Sequence, residues 1–336
     1  MRALVWTGPR AMSLQQIAAP RPGPDEVLLR PLAVGICGSE LSGYLGENSL
    51  RRPPLIMGHE FCAVVEEAPT DSPHPAGSRV VVNPLLACGT CPMCRRGAGN
   101  LCVQRRIVGA ARPGAFADLV AVPAAACRSA PPGLDAPLAA MAEPVACAVR
   151  AAEQARFSPG DRALIVGAGA IGLLALAVFR RFGAGEVLVA EPNPHRLETA
   201  RAWGGTPVRG DVAELLDAVH CGTEGMGVDV AVDAVGLTAT RRLALRGVRP
   251  GGRVVLIGLH EAESPLPLNE LVRSEIEVSG CFCYREETFA RSLTLLGEGL
   301  LAEGPWLQER PLAAGPAAFA ELLEGGAAPS KVVLRP

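Results

Sequence analysis

Ala163-Leu164-Ile165-Val166-Gly167-Ala168-Gly169-Ala170-Ile171-Gly172-Leu173 is the stretch on which the reading of this chain turns. Its first four residues are the β-branched and apolar run of a buried parallel strand, and Leu173 to Phe179 continue as the apolar start of a helix. Between them lies the spacing G-x-G-x-x-G. In a strand-to-helix turn each glycine serves a separate purpose. Gly167 permits the tight turn, Gly169 lets a pyrophosphate approach the backbone, and Gly172 lets the helix pack closely on the strand. Ala170 and Ile171 open the helix, where free N–H groups and the positive end of the dipole face the phosphates. Glu186-Val187-Leu188-Val189-Ala190 reads as a second strand, and Glu191 ends it, 19 residues beyond Gly172. A carboxylate about 20 residues on is what holds the adenosine ribose hydroxyls. The stretch predicts a dinucleotide-binding βαβ unit.

The same stretch has a competing reading as a membrane span, because Ala163 to Phe179 is 17 residues without a charge. A span needs ~20 residues, and three glycines at the fingerprint spacing have no place in one; no membrane association is expected. At 336 residues the chain is long enough for two domains, and its composition, 49% hydrophobic and 20% charged, is that of a globular protein. A formal net charge of −2 gives no reason to expect a nucleic-acid partner. The first residues carry no apolar core of a signal peptide, so a cytoplasmic protein is expected, and its eleven cysteines fit that compartment if some of them bind metal.

Residues 1 to 35 alternate short apolar runs with Pro and Gly, the punctuation of a strand-rich domain. Leu32-Ala33-Val34 reads as a strand, which puts Cys37 of Gly35-Ile36-Cys37-Gly38-Ser39 at a strand end. Met57-Gly58-His59-Glu60 follows. Cys, His and Glu are the ligand types of an open zinc site, in which one position is left for water or substrate. On a regular strand His59 and Glu60 would point to opposite faces, so both reach one metal only through a turn at Gly58. Glu60 is either a direct ligand or a partner of one.

Cys88, Cys91, Cys94 and Cys102 have the spacing C-x2-C-x2-C-x7-C. Four thiolates so placed wrap a tetrahedral zinc from one loop and close all its positions, which makes the site structural. Glu143, in Met141-Ala142-Glu143-Pro144-Val145, is an acid in an apolar run, expensive to bury unless paired or bound to metal. The remaining cysteines, Cys62, Cys127, Cys147, Cys221, Cys281 and Cys283, lack ligand spacing and read as buried thiols.

Taken together, Gly-Ile-Cys37-Gly-Ser39, Gly58-His59-Glu60, the four-cysteine lobe, Glu143-Pro144 and Gly167-x-Gly169-x-x-Gly172 resemble the zinc-containing medium-chain dehydrogenase/reductase family. Glu143-Pro144 resembles its sorbitol, threonine and sugar-alcohol branch. The similarity runs through Arg249-Pro250-Gly251-Gly252-Arg253 to Lys331-Val332-Val333-Leu334. It implies an α/β fold: a strand-rich GroES-like catalytic domain over residues 1–150, completed by about 285–336, and a Rossmann doubly wound parallel sheet over 151–284. It further implies Cys37, His59 and Glu143 as catalytic zinc ligands, Glu60 as a ligand or one exchanging with water, and Ser39 as the hydroxyl that accepts the substrate proton. Many relatives carry a histidine five residues after the catalytic cysteine to relay protons onward; here the position is Ser42, which leaves that relay to water or the cofactor ribose.

The implied reaction is transfer of a hydride from a secondary alcohol, a polyol, sugar alcohol or related small molecule, to NAD. Arg196, five residues beyond Glu191, is a candidate to meet a 2′-phosphate of NADP, but Glu191 repels that phosphate and favours free hydroxyls, so NAD is expected. Two zinc ions per subunit are expected, one catalytic and one structural. The rival readings are an NADP-linked reductase of the same fold and a non-enzymatic nucleotide sensor. Ile276-Glu277-Val278-Ser279-Gly280-Cys281-Phe282 reads as a late edge strand able to pair with another subunit, giving a homodimer or homotetramer. Tyr44 is either a pocket residue or a packing residue, and Arg51, Arg52, Arg106 and Arg285 are the basic side chains that could approach the site.

Overall fold

The computed structural model describes residues 1–210, 212–326 and 329–336. The chain divides into two compact units, Met1–Glu143 with Arg285–Pro336, and Pro144–Tyr284.

The first unit is built around the strand Glu26–Gly35. Its apolar residues Val27, Leu28, Leu29, Ala33 and Val34 are buried because it has a neighbour on each side. Glu60–Glu67 pairs with it antiparallel, with Gly35 opposite Glu60, and Lys331–Arg335 lies antiparallel on the other side, with Val333 opposite Gly35. The last strand of the chain thus returns beside the residues that lead into Cys37. Arg79–Val82, Cys127–Ser129, Val120–Pro123 and Leu307–Pro311 complete a seven-stranded sheet among the described residues. Trp6, Leu29, Met57, Phe61, Phe116, Phe319 and Leu334 form the core against it. At about 25 cal/mol per Å² of apolar surface removed from water, such aromatic burial is the main force closing a sheet of this kind.

The second unit is a six-stranded, wholly parallel sheet. Counted from Ala163–Val166 as the first strand, the order across it is 3-2-1-4-5-6, the doubly wound order with its switch point beside the first strand. The first strand and Val187–Ala190 are buried throughout, as both faces of a parallel sheet are covered. Gly167 adopts φ +96°, the left-handed turn that a side chain resists. A Cβ on Gly172 would lie 1.7 Å from the Gly167 carbonyl oxygen, so only glycine lets the helix Ala170–Arg181 start this close to its strand.

Some expected elements shift. The run from Gly252 is part of a longer strand, Val248–Leu256, and the late strand is shortened to Glu277–Gly280, on the edge of the sheet. Cys62, Cys127 and Cys281 are buried as expected, and burial pushes their thiols up to about 11, 12 and 12. Cys147 and Cys283 are half-buried, and Cys221 is exposed, because it ends the amphipathic helix Val212–Cys221 on its solvent side. No helix among the described residues is long and apolar enough to cross a membrane.

Candidate active site

Cys37 ends the strand-to-helix turn as N-cap of the helix Gly38–Leu45. Gly58 takes φ +101°, and this turn brings His59 and Glu60 to one side, at the start of the strand Glu60–Glu67. The result is a cluster in which Cys37 Sγ, a His59 nitrogen and a Glu60 carboxylate oxygen all lie within 4.8 Å of one another. Glu143 stays outside that cluster, buried in the first turn of the helix Ala142–Ala155.

Glu40, fully buried, organises the cluster from behind. Its Oε2 accepts the Cys37 backbone N–H at 3.1 Å, the N3-to-N-cap half of a capping box. Its Oε1 accepts the Gly58 N–H at 2.8 Å and stands 2.7 Å from His59 Nδ1. An ionised carboxylate only accepts, so Nδ1 carries the hydrogen and Nε2 is left as the donor to a metal. Burial disfavours charge on both partners. The mutual attraction nevertheless holds the Glu40 carboxyl below the usual carboxylate range, with Arg51 adding to it, and raises His59 well above an ordinary histidine.

Glu60 is held in turn by Lys331. The Lys331 Nζ is ion-paired with Glu60 Oε2 and donates to the Ile36 carbonyl at 2.9 Å, and both side chains are almost completely buried. Burial opposes the lysine charge, but Glu60 and Cys37 keep its pKa above the ordinary value. One Glu60 oxygen is therefore already engaged.

Ser39 Oγ donates to Cys37 Sγ at 3.4 Å, and Arg51 donates to Ser39 Oγ at 3.3 Å and to its carbonyl oxygen at 3.0 Å. Ser42 Oγ donates to the Ser39 carbonyl at 3.1 Å, so it caps a helix carbonyl and does not touch the Ser39 hydroxyl. Tyr44 is a packing residue: its ring lies 5.3 Å from that of Phe319 and its hydroxyl donates to the Arg10 carbonyl at 2.9 Å. Of the four arginines, Arg52, Arg106 and Arg285 are exposed, and only Arg51 is buried at the site.

Sequence reasoning missed Glu40, Lys331 and the place of Arg51. The Cys37-to-Glu40 spacing is a capping-box signal and would have found the first. No local signal marks the other two.

Cys88, Cys91, Cys94 and Cys102 form the second cluster, again with all sulfurs within 4.8 Å of one another. Ligands at 2.3 Å on a tetrahedral zinc stand about 3.8 Å apart, so the four sulfurs fit that ion. Backbone N–H groups of Thr90 and Cys91 favour the Cys88 thiolate and bring its pKa down to about 6.

In the second unit Glu191 Oε2 accepts the Ala168 N–H at 2.8 Å and Oε1 accepts the Asn193 N–H at 2.9 Å, which fixes the carboxylate beside the glycine turn. A Cβ on Gly169 would meet nothing within 4 Å, an open cradle at the helix start of the kind a pyrophosphate fills. Arg196 lies in the first turn of the helix Pro194–Ala202, and its buried Nε makes no hydrogen bond among the described residues.

Residues 23–132 match the alcohol dehydrogenase GroES-like domain family, and residues 170–298 match the zinc-binding dehydrogenase family. The chain is similar to the L-idonate 5-dehydrogenase of Vitis vinifera, 31% identical over 90% of this chain and 85% of that one, and to the sorbitol dehydrogenase of Bacillus subtilis, 33% identical over 90% and 87%. A zinc-binding dehydrogenase from Sinorhizobium meliloti, solved with NADP bound, superposes over 100% of this chain and 99% of its own with a TM-score of 0.91 at 29% identity. The chain therefore belongs to the zinc-containing medium-chain dehydrogenases, in their sugar-alcohol branch, and is an alcohol dehydrogenase.

Proposed function

We propose that this dehydrogenase oxidises a secondary hydroxyl of a polyol, sugar alcohol or sugar acid, using one catalytic zinc, one structural zinc and NAD. The observation that carries the reading is the donor cluster of Cys37, His59 and Glu60 with Ser39 beside it. Cys37 and His59 would hold the catalytic zinc, together with Glu60, which stands in their cluster with one oxygen engaged by Lys331, or with Glu143, which lies outside it, and the four-cysteine lobe would hold the other ion. Bound there, zinc supplies Lewis acidity for the hydroxyl oxygen. Glu40 keeps His59 in the tautomer that a metal requires, Ser39 accepts the substrate proton, and the Gly167–Gly172 turn with Glu191 binds the dinucleotide. The names of the two similar dehydrogenases, L-idonate and sorbitol, support a hydroxylated carbon chain as substrate class.

A second reading, NADP as cofactor, rests on the unpartnered Nε of Arg196 and on the NADP bound in the similar structure. The Glu191 charge favours the first. Nicotinamide reduction by zinc-loaded protein, with NAD and NADP in parallel over D-sorbitol, L-idonate, inositols, L-threonine and simple secondary alcohols, tests both. Turnover on a polyol or sugar acid is expected, with NAD preferred. Turnover with NADP alone would reverse the cofactor assignment, and silence with zinc occupancy and NAD binding verified would overturn the substrate class.

A further inference from the structure

Arg51 is a buried cation with no ion-paired carboxylate within 4.0 Å among the described residues, and its Nε is buried without a hydrogen-bond partner. Glu40 attracts it only from beyond ion-pair distance, and a buried charge without a direct partner is costly, so its position calls for a reason. The loop that carries it turns back over the helix Gly38–Leu45, through Gly46 in the left-handed region and a bond from the Arg51 N–H to the Asn48 carbonyl. The side chain then passes the helix at Gly43, where a Cβ would stand 2.5 Å from Arg51 Cδ. Glycine at that position opens the passage, and the guanidinium ends with both Nη groups on Ser39.

A hydroxyl oxygen has one hydrogen and two lone pairs to direct. At Ser39 the hydrogen goes to Cys37 Sγ and one lone pair is taken by Arg51 Nη2. With the bond to Cβ, three of the four directions around Oγ are assigned, and the remaining lone pair has one direction left. We propose that Arg51 is a positioning residue for proton transfer, fixing the Ser39 oxygen so that its one free lone pair takes up the substrate proton while the hydroxyl's own hydrogen leaves Cys37 Sγ for water. This rests on the reading of Ser39 as proton acceptor. Arginine suits this role because it donates but does not take up a proton at working pH, so it holds the acceptor without competing for what is accepted. The position five residues after Cys37 is Ser42, which bonds to the Ser39 carbonyl only, and Arg51 reaches the hydroxyl that Ser42 does not.

The test uses the full-length zinc-loaded protein with NAD and D-sorbitol or L-idonate, together with crystal structures of the variants. Arg51→Met is expected to lower kcat by about 10- to 100-fold with KM within about twofold, since misplacing an acceptor affects the transition state and not ground-state binding. Arg51→Lys, which restores one donor, returns kcat to within about threefold of the parent. Gly43→Ala keeps Arg51 but pushes it off Ser39, and reproduces the kcat loss. In a Ser39→Ala background Arg51→Met adds nothing. The structures are expected to show Ser39 Oγ released from Cys37 Sγ in Arg51→Met and Gly43→Ala. An unmoved Ser39 in both variants, or an equal kcat loss from Arg51→Met with and without Ser39, would overturn the proposal while leaving the reaction reading intact. Parent-like turnover by Ser39→Ala would overturn the role of Ser39 itself, and the inference with it. If neither probe turns over, the structures alone decide the placement of Ser39.

Discussion

At the scale of single residues the site is a set of buried charges, each held by another. Lys331 and Glu60 illustrate the energetics. A buried ion pair is weak evidence of stability in itself, because desolvation offsets most of the attraction, but removing one partner strands the other. Lys331→Met is expected to destabilise the protein by about 3 to 5 kcal/mol in denaturant unfolding, and Lys331→Met combined with Glu60→Gln to recover a large part of that loss. A single variant as stable as the parent would mean that the pair is not formed in solution. Glu40 acts differently, through hydrogen bonds: it joins the N-terminus of a helix, the turn at Gly58 and the ring of His59 in one carboxylate.

Among the elements, the cysteine lobe has the least apolar support. Its two short helices, Pro92–Arg95 and Gly99–Leu101, bury one polar residue, Asn100, and no large side chain. Elements this short do not stand on their own backbone hydrogen bonds. Binding free energy from zinc is then folding free energy for the loop. Arg95, Arg96, Arg105 and Arg106 are exposed around it. Chelation is expected to open the lobe to trypsin at these arginines at least tenfold faster, with zinc restoring protection, as read by mass spectrometry of the fragments. Equal cleavage rates with and without the chelator would remove zinc as the support of this loop.

For the whole molecule, the parallel sheet ends on Glu277–Gly280, an edge strand with Val278 37% exposed. Natural sheets rarely leave such an edge open. We propose that this strand pairs with a second copy; sedimentation velocity is expected to show a dimer or tetramer, and Val278→Lys to shift it toward monomer. A parent that sediments as monomer ends the proposal. The two signals read most directly from the sequence were those whose geometry is local. The glycine turn at Gly167–Gly172 and the four cysteines at 88–102 carry their own spacing, so the βαβ unit and the all-sulfur cluster were legible without knowing where the rest of the chain went. Cys37 and His59 could be named as candidates from their residue types. The partner of Glu60 could not, because a lysine 271 residues away meets it only through the register of Lys331–Arg335 against Glu26–Gly35. Arg51 was one of four arginines able to approach the site, and only the turn of its loop back past Gly43 singled it out. Local backbone geometry is set by a few neighbouring residues and so is written in the sequence; which buried charges face one another is set by strand pairing, and tertiary structure alone decided it.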